Sequence, residues 1–180
     1  MTEATDVDLL QAYLGGDPAA FGIFYRRHVR LMFGYLYHAT GNRSDAEDML
    51  QEVFLQAARG ARRMLAMAKP RLYLYGIARN ACRDLQQSRR QTARLQSDLK
   101  LTLNQRGRLQ GRQPEDIEHL QRALFELPAD QREVIRLHAI DGLTLQETAE
   151  ITGEPLNTTL YRYYAGLKKM KEKLHGHLDS

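Results

Sequence analysis

The sequence has little cysteine and proline and no long apolar run. Its 180 residues include one cysteine and five prolines. A single thiol, Cys82, excludes an internal disulfide and a cysteine-rich zinc cluster, because each needs several thiols. The longest mostly apolar stretches, 31–36 and 72–78, fall short of the roughly 18 residues that a membrane-spanning helix needs. We therefore expect a cytoplasmic protein with no membrane span.

The composition that remains is typical of a globular helical protein. Hydrophobic residues make up 43% of the chain and charged residues 27%. Apolar residues recur with a period near 3.6, and no run alternates with the period of two that is typical of hairpin strands. These patterns predict an all-α fold.

Positive charge is concentrated in one segment. The formal net charge of the chain is only +4, but 79–112 contains nine Lys and Arg against two Asp, a local excess of 9 − 2 = +7. Most residues between 89 and 113 are polar, which indicates a solvated connector. We expect a flexible basic linker at 91–115 between two small helical domains, 1–90 and 116–180. The alternative is a packed helix built on Leu95, Leu99, Leu101 and Leu103.

Helix signals in the N-terminal domain are clear. Ser44 and Glu47 form a capping-box pattern, which predicts a helix that begins near Asp45. A break precedes it at 41–42, and the apolar residues before the break predict one or two helices packed against it. A further helix is predicted at 70–90, where a proline occupies the first helical position.

The C-terminal domain is predicted to consist of three or four short helices. One lies at 116–126, and the next spans 127–142. Thr144 and Glu147 form a second capping box, and the helix that they begin ends at Gly153. Two helices joined by a tight turn, with lysines at the end of the second, are typical of a helix-turn-helix.

Motifs for catalysis or metal binding are missing from the sequence. A phosphate-binding glycine loop, a zinc-protease motif and a serine-hydrolase motif are all absent. His175 and His177 could bind a metal weakly or could simply be solvated. Asp45, Asp48 and Glu52 share a helix face, but no histidine lies at ligand spacing, which favours an acidic recognition face. We expect no catalytic residue, no metal and no cofactor.

The segment 73–83 has the residue types of a nucleic-acid surface. Its rings and amide could hold unstacked bases while its arginines contact phosphates. The residues concerned are Tyr73, Tyr75, Arg79, Asn80 and Arg83. The alternative is that the tyrosines are core aromatics and the arginines a solvated face.

Several strings resemble a known family. DAEDMLQEVF at 45–54 resembles region 2 of bacterial extracytoplasmic-function (ECF) sigma factors, a subfamily of the sigma-70 family. LYGIARN at 74–80 is similar to the promoter-melting helix of that region. The strings at 127–128, 131–134 and 142–153 look like region 4, the second DNA-binding domain. Together the matches cover nearly the whole chain outside the linker.

The resemblance implies a transcription factor rather than an enzyme. Such a subunit binds the clamp and flap regions of core RNA polymerase and directs it to promoters. Region 2 would melt and read the −10 element, and region 4 would read the −35 element. An anti-sigma factor is a further implied partner.

The resemblance also implies three sets of site residues. The expected polymerase contacts are Asp45, Asp48, Gln51, Glu52 and Phe54. The expected −10 contacts are Tyr73, Tyr75, Arg79, Asn80 and Arg83, together with Arg62 and Arg63 on a loop at 60–69 where the family captures a flipped base. The expected −35 contacts are Thr158, Tyr161, Arg162, Lys168 and Lys169. The core side of the same last helix is expected to carry Leu167, Met170 and Leu174.

The chain departs from the family pattern at three places. Tyr73 replaces a tryptophan that the family usually has, and the chain contains no Trp. The loop at 60–69 carries large apolar residues that are unusual for a base pocket. In the last helix Thr159, Leu160 and Ala165 stand where the family prefers an aliphatic residue, a basic or small polar residue and an arginine.

Two other functions remain as alternatives to the sigma factor. One is a stand-alone helix-turn-helix regulator, and the other is a protein-interaction module with weakened DNA binding. The acidic face at 45–52 distinguishes the sigma factor from the stand-alone regulator. A regulator that binds DNA alone gains nothing from a surface that repels phosphates, whereas a polymerase-docking surface can use such a face.

Overall fold

The computed structural model describes residues 4–96 and 115–175. The chain divides into two units, Met1–Gly107 and Arg108–Ser180. The regular structure of the described residues is helical, without a strand, which confirms the all-α prediction. No helix among them is both long enough and apolar enough to cross a membrane.

The N-terminal unit is built around a long central helix. Its helices are α1 (Asp6–Leu14), α2 (Pro18–Thr40), α3 (Arg43–Arg59), α4 (Ala61–Ala66) and α5 (Pro70–Gln96). The central helix α2 packs against α1, α3 and α5. The Asp17 side chain caps its start. The helix then continues without interruption to Thr40 and ends at Gly41, whose φ is 67°. The core of the unit includes Phe24, Met32, Leu36, Val53 and Leu74.

The cap of α3 differs from the predicted one. The Asn42 side chain accepts a hydrogen bond from the backbone N–H of Asp45 (3.2 Å), so the helix begins at Arg43. Gly41 in the left-handed region leaves Asn42 in the extended conformation that a capping residue needs. Ser44 therefore lies inside the helix, and the predicted capping box is wrong.

The predicted loop at 60–69 is also wrong, because most of it is helical. The short helix α4 packs against α1, α3 and α5. Ala61 and Met64 on its inner side are buried, while Met67 just after it is exposed. The apolar character of this segment thus serves partly to fill the core.

The C-terminal unit contains the predicted short helices. They are α6 (Glu115–Phe125), α7 (Ala129–Ile135), which continues into a π-helical turn (Arg136–Ile140), α8 (Leu145–Thr152) and α9 (Leu156–His175). The last helix packs against α6, α7 and α8. Part of the core is a cluster of Leu124, Leu127, Ile135 and Met170, against which Tyr163 packs.

The helix-turn-helix consists of α8, the turn after it and α9. Both hydrogen bonds of the Thr144 and Glu147 capping box are present. The first helix ends at Gly153, whose φ is 69°. The predicted start and end of α8 are therefore confirmed.

Gly166 brings α9 close to α7. A Cβ atom at this position would lie 2.7 Å from Cδ1 of Ile135, so a larger residue would force the Ile135 side chain to shift. Leu167, the next residue, is 36% exposed, and its predicted burial is wrong. Met170 is buried as predicted, and Leu174 is half-buried.

The helix before the predicted linker is longer than expected, so the N-terminal end of the linker was placed too early. Residues 91–96 continue α5, and α6 begins at Glu115. The intervening residues 97–114, with three of the four leucines of the alternative packed helix, lie outside the described residues, as does His177.

Candidate functional surfaces

The outer side of α3 presents polar and acidic side chains around one exposed leucine. Asp48, Gln51, Glu52 and Leu55 recur at helical spacing and are all exposed, Leu55 by 52%. We call these four residues the α3 face. Glu52 accepts a hydrogen bond from Nε2 of Gln56 (2.8 Å), which restrains its carboxylate. Leu55 was not among the residues predicted from the sequence to contact polymerase, although its spacing from Asp48 and Gln51 places it on the same side of the helix.

Asp45 and Phe54, two expected polymerase contacts, make contacts inside the unit. The guanidinium of Arg89 on α5 pairs with the Asp45 carboxylate and also donates to the Thr40 carbonyl oxygen (3.5 Å). Phe54 is only 5% exposed, and its ring lies edge-on to Tyr25 at 4.6 Å. These contacts tie α3 to its neighbours. The burial of Phe54 leaves little of its ring available to a partner, whereas the Asp45 side chain keeps 30% of its surface exposed.

An open groove runs beside the α3 face, between α2 and α3. Its volume is about 350 Å³. Its walls combine apolar and charged side chains, namely Val29, Arg30, Phe33, Arg43, Glu47 and Leu50. Nε of Arg43 donates to the Glu47 carboxylate (2.8 Å), so an exposed ion pair lies along the α3 wall of the groove.

The outer side of α5 carries an aromatic and polar face. Tyr73, Asn80 and Arg83 lie on one side of the helix at spacings of seven and three residues. Asn80 and Arg83 are exposed, and Tyr73 is half-buried. We call these three residues the α5 face. Arg79 lies at its flank, half-buried.

Tyr75 belongs to the core and not to this surface. It is 0% exposed, and its ring meets the Tyr35 ring edge-on at 5.4 Å. It shares the inner side of α5 with the buried Ala78 and Cys82, and that spacing was a signal of burial. The expected contact of Tyr75 with DNA is wrong, and the core-aromatic alternative holds for this residue.

Tyr73 is seated on Gly60, where α3 ends and α4 begins. A Cβ atom at position 60 would lie 2.6 Å from the Tyr73 hydroxyl oxygen. The absence of a side chain at position 60 thus makes room for the phenol. Arg62 and Arg63 follow in α4 and are exposed, so the same corner of the unit carries an aromatic ring and two cations.

The exposed side of α9 carries two tyrosines and several lysines. Tyr161 is 72% exposed and Tyr164 is 62% exposed, and Lys168 and Lys169 are exposed as well. Thr158 is half-buried. Tyr164 was not among the expected contacts, although its spacing of three residues from Tyr161 placed both on one side.

Arg162 is held by two carboxylates of its own unit. Its Nε lies 3.0 Å from Oδ2 of Asp130 in α7, and Nη1 pairs with Glu154 in the turn before α9. Its side chain is 24% exposed. The buried Thr159 hydroxyl donates to the Pro155 carbonyl oxygen (3.3 Å), which satisfies a polar group at a position where the family prefers an aliphatic one.

Within the described ranges, His, Cys, Asp and Glu side chains form no group of three or more that is suited to a metal ion. Cys82 is buried in α5.

Comparison with known proteins matches both units to one family. Residues 24–93 match the profile of Sigma-70 region 2, and residues 117–170 match that of Sigma-70 region 4. The ECF RNA polymerase sigma factor SigM of Mycobacterium tuberculosis is 31% identical over 178 residues, which cover 99% of this chain and 88% of SigM. The RNA polymerase sigma factor CarQ of Myxococcus xanthus is 27% identical, with coverages of 92% and 95%.

Solved structures share the fold. The sigma factor RpoE of Bartonella quintana, solved in complex with the anti-sigma factor NepR, superposes with a TM-score of 0.72 at 20% identity and covers 86% of this chain and 96% of its own. CnrH, solved in complex with the cytosolic domain of CnrY, gives a TM-score of 0.67 at 23% identity, with coverages of 95% and 97%.

Two helical units, of which the second is a helix-turn-helix, define a class of DNA-binding initiation factor. The matches to both regions, and the identity to SigM over nearly the whole chain, show that this chain belongs to the ECF subfamily of sigma-70 factors. It is an alternative sigma factor that directs transcription initiation.

Proposed function

We propose that the two units divide the work of promoter recognition. The unit that ends with α5 at Gln96 forms region 2, which docks on the polymerase clamp and melts and reads the −10 element. The unit that begins with α6 at Glu115 forms region 4, which contacts the polymerase flap and the −35 element. In this proposal the chain acts in the cytoplasm and has no catalytic activity of its own.

The proposal for region 2 rests on the different side chains of the α3 face, which is acidic, and the α5 face, which is aromatic and basic. Asp48 and Glu52 would repel DNA phosphates, so the α3 face suits a protein with complementary positive charge. Leu55 among them offers an apolar side chain that docking would remove from water. Tyr73, Asn80 and Arg83 instead offer a ring, an amide and a cation, the groups that hold unpaired bases and the backbone of single-stranded DNA.

The proposed −10 surface extends from the α5 face to α4. The Tyr73 ring would stack on an unpaired base, and Asn80 can donate to and accept from a base edge. The exposed guanidinium groups of Arg62, Arg63 and Arg83 would contact phosphates. Arg79 at the flank would support the same strand.

An anti-sigma factor is a further proposed partner. RpoE of Bartonella quintana, which shares the fold, was solved in complex with the anti-sigma factor NepR. An inhibitor that covers the α3 face would compete directly with polymerase.

A double charge reversal tests the docking surface. Asp48→Arg combined with Glu52→Lys should reduce co-purification with core polymerase at least tenfold, because like charges at an interface repel. Both carboxylates are exposed, so the free energy of unfolding should change by only about 0.5 kcal/mol. Binding is measured by co-purification and by equilibrium titration of labelled protein with core polymerase.

Asp84→Arg is the matched control for this experiment. Asp84 is exposed on the neighbouring helix α5, outside the α3 face, so its reversal adds positive charge without touching the proposed interface. It should leave polymerase binding in place. Undiminished binding of the double variant would show that the α3 face is not the docking surface.

A further inference from the structure

Four residues of α9 form one exposed stripe. Asn157, Tyr161, Tyr164 and Lys168 are all exposed, and at 3.6 residues per turn they lie within a sector of about 60°. The buried residues Thr159, Gly166 and Met170 occupy the opposite side. We call these four exposed residues the tyrosine stripe.

Arg162 lies off this stripe. It is displaced by about 100° around the helix from Tyr161. Its guanidinium is engaged by Asp130 and Glu154, which belong to α7 and to the turn of the helix-turn-helix. These two ion pairs hold the guanidinium against α7 and the turn, away from the stripe. The Arg162 side chain instead links α9 to α7 and to the turn before α9.

Neighbouring aromatic rings support Tyr164. Its ring meets the Tyr163 ring at 5.3 Å, and Tyr163 in turn meets the His138 ring at 4.8 Å. Nδ1 of His138 donates to the Leu143 carbonyl oxygen (2.6 Å). A ring held in this way loses little conformational freedom when it binds, which is what a recognition residue needs.

We propose that the tyrosine stripe is the base-reading surface of region 4, and that it selects A·T pairs through contacts of Tyr161 and Tyr164 with thymine methyl groups. The inference rests on the proposed −35 function and specifies its chemistry. In the major groove thymine presents a methyl group, which apolar side chains contact, while guanine presents acceptors suited to a free arginine. The stripe offers rings, and its neighbouring arginine is occupied.

The charge of α9 favours DNA over a protein as the occupant of this face. The sixteen residues from Leu156 to Lys171 contain no Asp or Glu. Lys168, Lys169 and Lys171 are exposed toward the C-terminal end, where they would meet phosphates. A polyanion with methyl groups in its groove matches this combination of rings and cations.

Deoxyuridine substitution isolates the methyl groups. Promoters are first selected from a library randomised at the −35 element with wild-type holoenzyme, and are then rebuilt with deoxyuridine in place of each −35 thymine. Wild-type holoenzyme should lose about fourfold in affinity for each contacted methyl group removed. Tyr161→Ala and Tyr164→Ala should each bind the selected promoter more weakly and lose part of this deoxyuridine effect. Tyr164→Phe, which keeps the ring, should retain it.

Arg162→Ala serves as the contrasting variant. It should lower the thermal midpoint of the unit and weaken all −35 sequences alike, without relaxing the preference at one position. A relaxed preference at a single G·C pair would overturn the proposal, and so would deoxyuridine effects that are equal in wild type and in the tyrosine variants. Tyrosine variants that keep promoter choice but lose affinity for an anti-sigma factor would overturn it in favour of a protein-docking face. If wild-type holoenzyme selected promoters but ignored the −35 sequence, the proposed function of region 4 would itself fail.

Discussion

At the scale of single residues, Tyr73 and Tyr75 illustrate how two similar side chains on one helix have separate roles. Tyr75 fills the core beside Tyr35, and Tyr73 lies half-buried on the outer side above Gly60. Two residues along a helix correspond to about 200° of rotation, so Tyr73 and Tyr75 lie on nearly opposite sides of α5.

Alanine substitution should separate the two roles. Tyr75→Ala should lower the free energy of unfolding by about 3 to 5 kcal/mol, because it leaves a cavity. Tyr73→Ala should leave the protein folded and cost about 1 to 3 kcal/mol in open-complex formation, because a stacking platform is lost. Thermal unfolding measures the first effect, and fluorescence of an unpaired base analogue in the −10 element measures the second. A pre-melted promoter should partly rescue Tyr73→Ala.

Gly60 provides a matched check on Tyr73. Gly60→Ala places a methyl group against the Tyr73 hydroxyl and should displace the ring without deleting it. It should therefore show a milder opening defect, which Tyr73→Phe relieves in the double variant by removing the oxygen atom. If Tyr73→Ala opens promoters as well as wild type does, the proposed stacking role is wrong.

At the scale of elements, α1 is attached to α2 by ionic hydrogen bonds. The Asp6 carboxylate accepts from Nη1 of Arg27 (2.6 Å) and from Nε2 of His28 (2.6 Å). Burial pushes the pKa of Asp6 upward, but the hydrogen bonds from His28 and Arg27 and their charges outweigh it, so the pKa lies below its ordinary value of 3.8. The ionised carboxylate therefore stabilises the docked helix.

The sign of this pKa shift predicts how acid affects the N-terminal unit. A carboxyl group with a lowered pKa contributes stability above its unfolded-state pKa and loses that contribution as the pH falls through its folded-state pKa. At neutral pH, Asp6→Asn should cost about 1 to 3 kcal/mol. The difference between wild type and variant should shrink below about pH 4. Thermal midpoints measured from pH 7 to pH 2.5 check this, and a constant difference would contradict it.

Helix boundaries show which element-level features depend on local chemistry. The Thr144 and Glu147 box and Gly153 delimit α8, and all three could be read from the sequence because capping involves groups only a few residues apart. The start of α3 was misplaced because Asn42 and Ser44 are both good capping residues. The conformation of Gly41 decided between them.

At the scale of the whole molecule, each unit has its own packed helices. In the N-terminal unit α2 packs with α1, α3 and α5, and in the C-terminal unit α9 packs with α6, α7 and α8. A unit with its own core can fold without the other. The functions proposed for regions 2 and 4 should then be separable.

A fragment of residues 1–96 tests this separation. It retains every helix that the structure describes in the N-terminal unit, so it should unfold cooperatively. It should also bind core polymerase nearly as tightly as the clamp contact of the full chain does. Transcription that it supports should no longer depend on the −35 sequence. Circular dichroism, polymerase titration and run-off transcription on −35 variants provide the measurements. Loss of cooperative folding would show that the N-terminal unit needs residues beyond 96.

The sequence by itself determined the all-α class and several helix boundaries, among them both ends of α8, because periodicity and capping depend on residues close together in the chain. It also indicated the acidic side of α3. Only the tertiary structure decided that Tyr75 and Met64 are core residues, that Asp45 pairs with Arg89, and that Arg162 is held by two carboxylates. Those outcomes depend on contacts between residues that are distant in the sequence and that folding brings together. The sequence pattern does not specify which polar side chains will form such contacts and which will remain exposed.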